Sequence, residues 1–219
     1  MSKSVTRSSL IPMENAYVDN HTQDQSMPGN TPKSPLHNTR AESVHIDAAN
    51  VTLQERAGVG VVQVFVKGDG GASALGLGTE PGVATVTDAY TALPLSPNQW
   101  MLISATGADG SFAESVRATL GNHGYVSEQS QGRVVIRLGG PRAADVLRKG
   151  CRLDLHPSVV SPGFCAQTSM AQVGVQLHWV DDSPTYDLIV YSGFARSFWH
   201  WLTESAAEYG YHVLPRING

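Results

Sequence analysis

The sequence is poor in cysteine, in clustered basic residues and in long apolar runs. It has two cysteines in 219 residues, too few for a disulfide framework. Acidic residues outnumber basic ones, 19 to 15, with a net charge of −4, which does not favour nucleic-acid binding. Neither an apolar membrane span nor an apolar segment after Lys3 and Arg7 is present. We therefore expect a cytoplasmic protein with reduced thiols that binds neither nucleic acid nor membrane.

Glycine is abundant, with 22 residues, but the usual nucleotide-binding loops are missing. The stretch from Gly68 to Gly82 reads GDGGASALGLGTEPG, and no Lys-Ser or Lys-Thr pair completes a phosphate loop. The dinucleotide fingerprint also fails, because Ser73 occupies the position of its third glycine. No G-x-S-x-G sequence indicates a serine hydrolase. We interpret residues 68–82 as a flexible or tightly turned connection.

The potential metal ligands do not have the spacing of a metal site. Cys151, His156 and Cys165 would give at most three zinc ligands, and no C-x-x-C or H-x-x-x-H pair occurs. We interpret the cysteines as packed thiols. His200, Glu204 and Glu208 recur every four residues in a predicted helix, a spacing typical of a solvated or partner-facing stripe. We assign no catalytic, cofactor-binding or metal-binding residue.

The first 50 residues differ in composition from the rest of the chain. They are rich in Ser, Thr, Asn, Gln and Pro and have few large apolar side chains, so they cannot offset the entropy of ordering. Two interpretations remain open: a flexible tail, or an arm that becomes ordered on a partner. We place the folded domain at residues 51–219, in two similar halves of about 51–131 and 132–219.

The clearest elements lie between Gly132 and Gly163. Residues 133–138 alternate, with Val134, Ile136 and Leu138 on one face of a strand. A short helix should follow, with Pro141 at its first position and Gly150 in a left-handed conformation at its end.

The remaining elements follow from periodicity and turn residues. Residues 51–56 read as a helix or a strand, while Ser111 and Glu114 suggest a capping box for a helix ending at Leu120. We expect Pro94 and Pro97 to mark a loop. The other predicted strands cover residues 59–66, 83–86, 100–104, 125–130, 165–173, 174–180, 186–191 and 212–214.

Residues 174–180 alternate clearly, and we expect the side chains on one face, which include Gln176 and His178, to point outward. The last predicted helix, residues 195–209, carries an apolar face of Phe198, Trp201, Leu202, Ser205 and Tyr209. Trp199 lies outside the middle of that face, so it could anchor a partner or pack against its own chain. Tyr191 and Phe194 could extend a partner surface.

The order of elements favours an α+β fold with antiparallel or mixed sheets and helices. It has the pattern of two fused ferredoxin-like halves. The segment LGGPRAADVLRKGCRLDLHPSVVSPGFCAQT and the closing run SFWHWLTESAAEYG resemble the gamma subunit of bacterial heterotetrameric sarcosine oxidase. The resemblance covers roughly Leu95 to Tyr211 and leaves residues 1–55 and Gly68–Gly82 without a counterpart.

The resemblance implies a fold similar to the folate-binding domain of the glycine-cleavage T-protein. It implies a structural subunit that packs mainly against the alpha subunit, in a complex that also contains beta and delta subunits. That complex demethylates sarcosine to glycine, producing hydrogen peroxide and either formaldehyde or 5,10-methylenetetrahydrofolate. FAD, FMN, NAD, tetrahydrofolate and zinc would belong to the other subunits.

No match is found for the T-protein motif with its catalytic carboxylate, so no folate-binding residue is carried over. Asp154, in LDLHP, is interpreted as a turn or cap. Three alternatives remain open: a subunit of a related N-methyl amino-acid oxidase or dehydrogenase, a free-standing folate-binding protein, and a scaffold unrelated to sarcosine.

Overall fold

The fold is described from a computed structural model that covers residues 34–36, 39, 43 and 50–218. The strands are β1 (Val51–Ala57), β2 (Val59–Val66), β3 (Thr85–Val86), β4 (Thr91–Ser96), β5 (Gln99–Gly107), β6 (Gly124–Glu128), β7 (Arg133–Gly139), β8 (Cys165–Met170), β9 (Val173–Asp181), β10 (Thr185–Tyr191), β11 (Tyr211–Val213) and β12 (Ile217–Asn218). The helices are α1 (Gly68–Ala74), α2 (Ser111–Leu120), α3 (Ala143–Arg148) and α4 (Ala195–Ala207).

The strands form two sheets. Sheet A has the order β11-β1-β7-β10-β9-β8, and β12 also pairs with β1. Sheet B has the order β3-β4-β5-β2-β6. Pairing is antiparallel throughout except between β1 and its neighbours β11 and β12, which run parallel to it. The predicted α+β class with antiparallel and mixed sheets is confirmed.

Each sheet repeats the same succession of elements. In sheet B, β2 is followed by α1, the hairpins of β3, β4 and β5, then α2 and β6. In sheet A, β7 is followed by α3, the hairpins of β8, β9 and β10, then α4 and β11. The first strand of each half lies beside the strand that precedes the second helix, as in a ferredoxin-like unit. Strand β1 is inserted between β7 and β11, so residues 51–57 complete the second sheet rather than the first.

Three apolar clusters define the layers. One lies between sheet A and helices α3 and α4, and it includes Ile136, Leu188 and Phe198. A second lies between sheet B and helices α1 and α2. The third joins side chains from the remaining faces of both sheets, including Val61 and Ile189. The sheets therefore pack face to face with the helices outside.

The proline prediction is wrong at one position. Pro94 lies within β4, where it pairs with Trp100 of β5. The neighbour on its other side, β3, reaches only Thr91 and Ala92. Because no strand lies opposite Pro94 on that side, its missing N–H leaves no gap in a ladder, and a bulge follows at once.

The predicted connection at residues 68–82 is also corrected, because its first half forms α1. Its glycines allow close packing. A Cβ atom on Gly71 would lie 2.7 Å from Val66 Cγ1 and 3.0 Å from His123 Cβ. The backbone N–H of Lys67 donates to the carbonyl of His123 at 2.6 Å. The first half of the segment is therefore a helix that packs against sheet B, and it does not form a phosphate loop.

Three predicted helix ends are wrong in detail. Gly110 precedes α2 with a φ of 99°, and Ser111 bonds to the Asp109 carboxylate rather than closing a capping box with Glu114. Helix α3 begins at Ala143, two residues after Pro141. Gly150 is not left-handed; a Cβ there would lie 2.5 Å from Trp201 Cζ2. Its missing side chain makes room for the indole.

Most of the proposed arm, residues 1–50, lies outside the described residues. Leu36 is buried in the cluster of sheet A, and the Ser34 hydroxyl donates to Glu55. Ser43 Oγ accepts a bond from Val213 N at 3.0 Å. The division of the chain at residues 50 and 131 stays a prediction. Among the described residues, no helix has the length and apolar character needed to cross a bilayer.

Candidate functional site

The two cysteines pack against different parts of the core. Cys165 begins β8 and is 1% exposed in the cluster between the sheets. Burial raises the pKa of its thiol to about 11, so the thiol is protonated and weakly nucleophilic at neutral pH. Cys151 packs against the helix-side cluster of sheet A. His156 is exposed, with Nδ1 2.7 Å from Ser158 Oγ.

Other polar candidates have local structural partners. Asp154 Oδ1 accepts a bond from the backbone N–H of His156 at 2.9 Å, so its predicted turn role is confirmed. His200 Nε2 lies 3.5 Å from Glu204 Oε1, and both side chains are at least 70% exposed. Glu208 instead pairs with Lys149 at 2.8 Å, which lowers the pKa of the carboxyl. Across residues 50–218, no group of three His, Cys, Asp or Glu side chains is arranged to hold a metal ion.

The inner face of sheet A contains a buried polar cluster that the sequence interpretation missed. Asp187 of β10 has a side chain that is 4% exposed. Its Oδ1 accepts from Arg137 Nε, and its Oδ2 accepts from Arg137 and from Arg56, at 2.7–2.8 Å. One carboxylate therefore joins strands β1, β7 and β10, because Arg137 lies directly opposite Asp187 in the register.

His178 and Gln176 extend this row into β9. His178 is directly opposite Asp187, and both His178 and Gln176 are buried, at 4% and 3% exposure. The sequence predicts that both side chains point outward. They do lie on the face opposite the helices, but that face packs against sheet B, so they are buried rather than in solvent. Burial is the main reason that the pKa of His178 is lowered, with Arg137 and Arg56 acting in the same direction and Asp187 opposing them.

The chemistry of this cluster is that of a structural ion pair. The guanidinium groups remain charged at any physiological pH, and the hydrogen bond to Asp187 raises the pKa of Arg137 further. A pairing such as Arg137 with Asp187 could have been suspected from charged residues inside two apolar strands. Its geometry required the strand register, which the sequence does not supply.

Trp199 does not form a partner surface. It is 4% exposed and belongs to the cluster between sheet A and the helices. Helix α4 is covered on more than one side, so Trp199 packs in its own chain, and the interface-anchor interpretation is wrong. Tyr191 and Phe194 are 49% and 55% exposed, and Arg133 lies 3.5 Å above the Tyr191 ring. Their role at a partner surface stays a prediction.

A second exposed aromatic pair lies at the edge of sheet B. Phe65 of β2 and Tyr125 of β6 are cross-strand neighbours and are 40% and 63% exposed. Lys67 Nζ lies 4.1 Å from the centre of the Tyr125 ring. A cleft of about 310 Å³ runs beside β6 and is lined by Arg117, Leu120, Gly121, Gly124, Tyr125 and Val126. Residues 117–128 carried no functional prediction.

Comparison with known sequences agrees with the resemblance found in the motifs. The profile of the family described as sarcosine oxidase, gamma subunit family, matches residues 63–208. This match includes the glycine-rich residues 68–82, for which the motifs give no counterpart in the family. Sarcosine oxidase subunit gamma from Corynebacterium sp. strain P-1 is 33% identical over 171 residues, covering 74% of this chain and 83% of the relative. The Arthrobacter subunit gamma is 33% identical over 141 residues, covering 63% of this chain and 68% of the relative.

Comparison of folds gives a similar result. A chain of the heterotetrameric sarcosine oxidase from Corynebacterium sp. U-96, solved with pyrrole 2-carboxylate, superposes with a TM-score of 0.72 at 28% identity. The match covers 81% of this chain and 95% of that chain. The glycine-cleavage aminomethyltransferase T from Bartonella henselae has a TM-score of 0.58 at 15% identity, over 76% of this chain and 48% of that one, which shows a shared fold. On its sequence and its fold, this chain belongs to the sarcosine oxidase gamma subunit family.

Proposed function

We propose that the chain is the gamma subunit of a heterotetrameric sarcosine oxidase and has a structural role in that complex. The observation that carries this proposal is the match to 95% of a chain in the solved heterotetramer, with a TM-score of 0.72. Three relatives, at 30–33% sequence identity, are themselves sarcosine oxidase gamma subunits. A chain whose fold matches nearly all of that chain would occupy an equivalent place in its own complex.

The contacts of the described residues support a non-catalytic role for this chain. The buried carboxylate of Asp187 is held by two guanidinium groups, and the Cys165 thiol is protonated in an apolar setting. The glycine-rich segment is occupied by packing of α1. We propose that FAD, FMN, NAD, tetrahydrofolate and zinc are held by the alpha, beta and delta subunits, with alpha as the main contact of this chain.

The proposed reaction belongs to the whole complex. Sarcosine, oxygen and water give glycine, formaldehyde and hydrogen peroxide: the N-methyl carbon is oxidised and oxygen is reduced. When tetrahydrofolate is present, the one-carbon unit leaves as 5,10-methylenetetrahydrofolate. A related oxidase or dehydrogenase would act on another N-methyl amino acid with the same loss of the methyl group.

Affinity purification of the tagged chain from its native cell tests this function. We expect large flavoprotein partners to co-purify, a flavin absorbance spectrum, and peroxide release that depends on sarcosine. N-methylglutamate serves as the competing substrate in the same assay. A colourless preparation of this chain alone would contradict the subunit assignment, whereas activity confined to N-methylglutamate would contradict the substrate.

A further inference from the structure

Within residues 50–218, strand β6 is an edge strand of sheet B. It pairs with β2 on one side, and among residues 50–218 no backbone hydrogen bond joins its other side to another segment. The opposite edge of sheet B, β3, has two residues. The β8 edge of sheet A is covered near its ends, by the bond from Cys165 N to Gly82 O and by the Cys151–Met170 bridge. A five-residue unprotected edge is a template for pairing with another chain.

The two faces beside this edge offer different contacts. Side chains alternate along a strand, so a strand added to β6 would direct successive side chains to opposite faces. On one face they would meet Phe65 and Tyr125, which are both partly exposed. On the other they would enter the cleft beside α2. At about 310 Å³, that cleft is at the lower limit of roughly 300–1,000 Å³ for small-molecule sites, a size suited to an inserted side chain.

The charged side chains beside β6 indicate which kind of partner segment could bind there. Arg117 is exposed and is the charged residue of the cleft lining. Lys67 lies over Tyr125 on the opposite face. Glu128, at the far end of β6, is engaged locally, since its Oε1 accepts from Ser130 N at 2.7 Å. The complementary segment therefore carries an acidic side chain toward Arg117 and apolar side chains toward the aromatic pair.

We propose that β6 docks an extended, acidic segment of a partner subunit, which adds to sheet B as a strand with its carboxylate against Arg117. Main-chain hydrogen bonds would supply affinity, and the cleft would supply specificity. The inference rests on the proposed function, because it names the surface through which the subunit joins its complex.

Photo-cross-linking in the assembled complex tests the location. The tagged chain carries p-benzoylphenylalanine in place of Tyr125 and is expressed with its partners; a matched sample carries it at Val86, which is 69% exposed at the other edge of sheet B. We expect a cross-link from position 125 to an acidic segment of a partner subunit. A cross-link to a second copy of this chain, to its own N-terminal residues, or to nothing in a recovered complex would overturn the inference.

Charge reversal tests the chemistry. Arg117→Glu should lower the recovery of partner subunits about tenfold or more, as for loss of a central interface charge, whereas Arg117→Lys should retain most of it. Arg152→Glu is the matched control, since Arg152 is exposed in the loop after α3. Equal recovery with Arg117→Glu and wild type would overturn the docking surface and leave the proposed function intact. Failure of the wild-type chain to recover any flavoprotein would instead reject the proposed function.

Discussion

At the scale of single residues, Asp187 explains how charge is accommodated between two sheets. Its carboxylate is almost fully buried, but Arg56 and Arg137 both donate to it. Those arginine side chains remain 19% and 31% exposed, so they reach the rim of the sandwich while their partner lies inside. The carboxylate thereby specifies the pairing of three strands without leaving an isolated buried charge.

Replacing this carboxylate should destabilise the fold strongly. Asp187→Ala leaves two guanidinium groups between the sheets without their carboxylate, and we expect the free energy of unfolding to fall by about 3–5 kcal/mol. Asp145→Ala removes a carboxylate that also pairs with two arginines, Arg142 and Arg148, on the surface of α3. That control should lose about 1 kcal/mol or less. Urea unfolding measures both, and equal losses would contradict the structural role of Asp187.

His178 should make stability depend on pH. Because burial lowers its pKa, the folded protein releases the proton while the unfolded chain, with a histidine pKa of about 6.5, still binds it. Stability should therefore fall as the pH drops below about 6.5 toward the folded pKa.

Urea midpoints measured at about pH 7 and about pH 5.5, on either side of the unfolded-state value, will check this prediction. His178→Gln should show a smaller loss between the two pH values than wild type. His200→Gln changes an imidazole that is 74% exposed and should keep the wild-type loss. The prediction is wrong if the His178 variant loses as much stability on acidification as wild type.

Residue periodicity predicted some burial correctly and some not, for a physical reason. Alternation identified Val134, Ile136 and Leu138 as core residues, and all three are at most 5% exposed. The same alternation assigned Gln176 and His178 to solvent. A polar residue on a face that is covered by a second sheet is buried despite its polarity. Its burial depends on the packing of that second sheet, which the alternation within one strand does not show.

At the scale of elements, helix α4 differs most from its sequence interpretation. A single-face pattern placed Trp199 at the border, but the structure buries Ala195, Phe198, Trp199, Leu202 and Ala206 together. Trp201, assigned to the core, is half-buried and lies over Gly150. The helix has a wider apolar contact than one stripe, because both sheet A and the segment after α3 pack against it.

Truncations on this helix and at the residue before it should separate core from surface. Trp199→Ala should lower the free energy of unfolding by about 3–5 kcal/mol through a cavity. Phe194→Ala, at a side chain that is 55% exposed, should change it by about 0.5 kcal/mol or less. Denaturant titration of both variants provides the comparison. A small effect of Trp199→Ala on unfolding, with loss of partner binding, would restore the interface interpretation.

Element types were more predictable than their ends. Residues 59–66 form β2 with the predicted boundaries, because a β-branched run with flanking glycine leaves few alternatives. The prediction of a loop at Pro94 was wrong, because a strand can contain this proline where the neighbouring strand β3 does not extend far enough to pair with it. The prediction for Gly150 was also wrong. A glycine that is needed because an indole packs against it looks the same in the sequence as a glycine that is needed for a left-handed backbone conformation.

At the largest scale, two sheets with the same succession of elements build one sandwich in the described part of the chain. The order of strands and helices along the chain already suggested ferredoxin-like units. It could not place β1, which lies between β7 and β11 in sheet A although it precedes β2 in sequence. Long-range pairing of this kind depends on competition between edges, and no local pattern encodes it.

The fold is similar to that of the T-protein, but we expect that this chain by itself does not bind tetrahydrofolate. Calorimetric titration of tetrahydrofolate into the isolated chain, up to about 1 mM ligand, should give no binding heat, although a Kd near that value still corresponds to about −4 kcal/mol. The same titration into the assembled complex is the positive control. Saturable heat with the isolated chain would support the free-standing folate-binding alternative.

Native mass spectrometry of the complex recovered through this chain determines whether the chain is one subunit of a flavoprotein assembly. We expect one copy of this chain in an assembly with three different subunits, with flavin mass on a partner and none on this chain. Isolated monomers, assemblies of this chain alone, or flavin bound to this chain would contradict it.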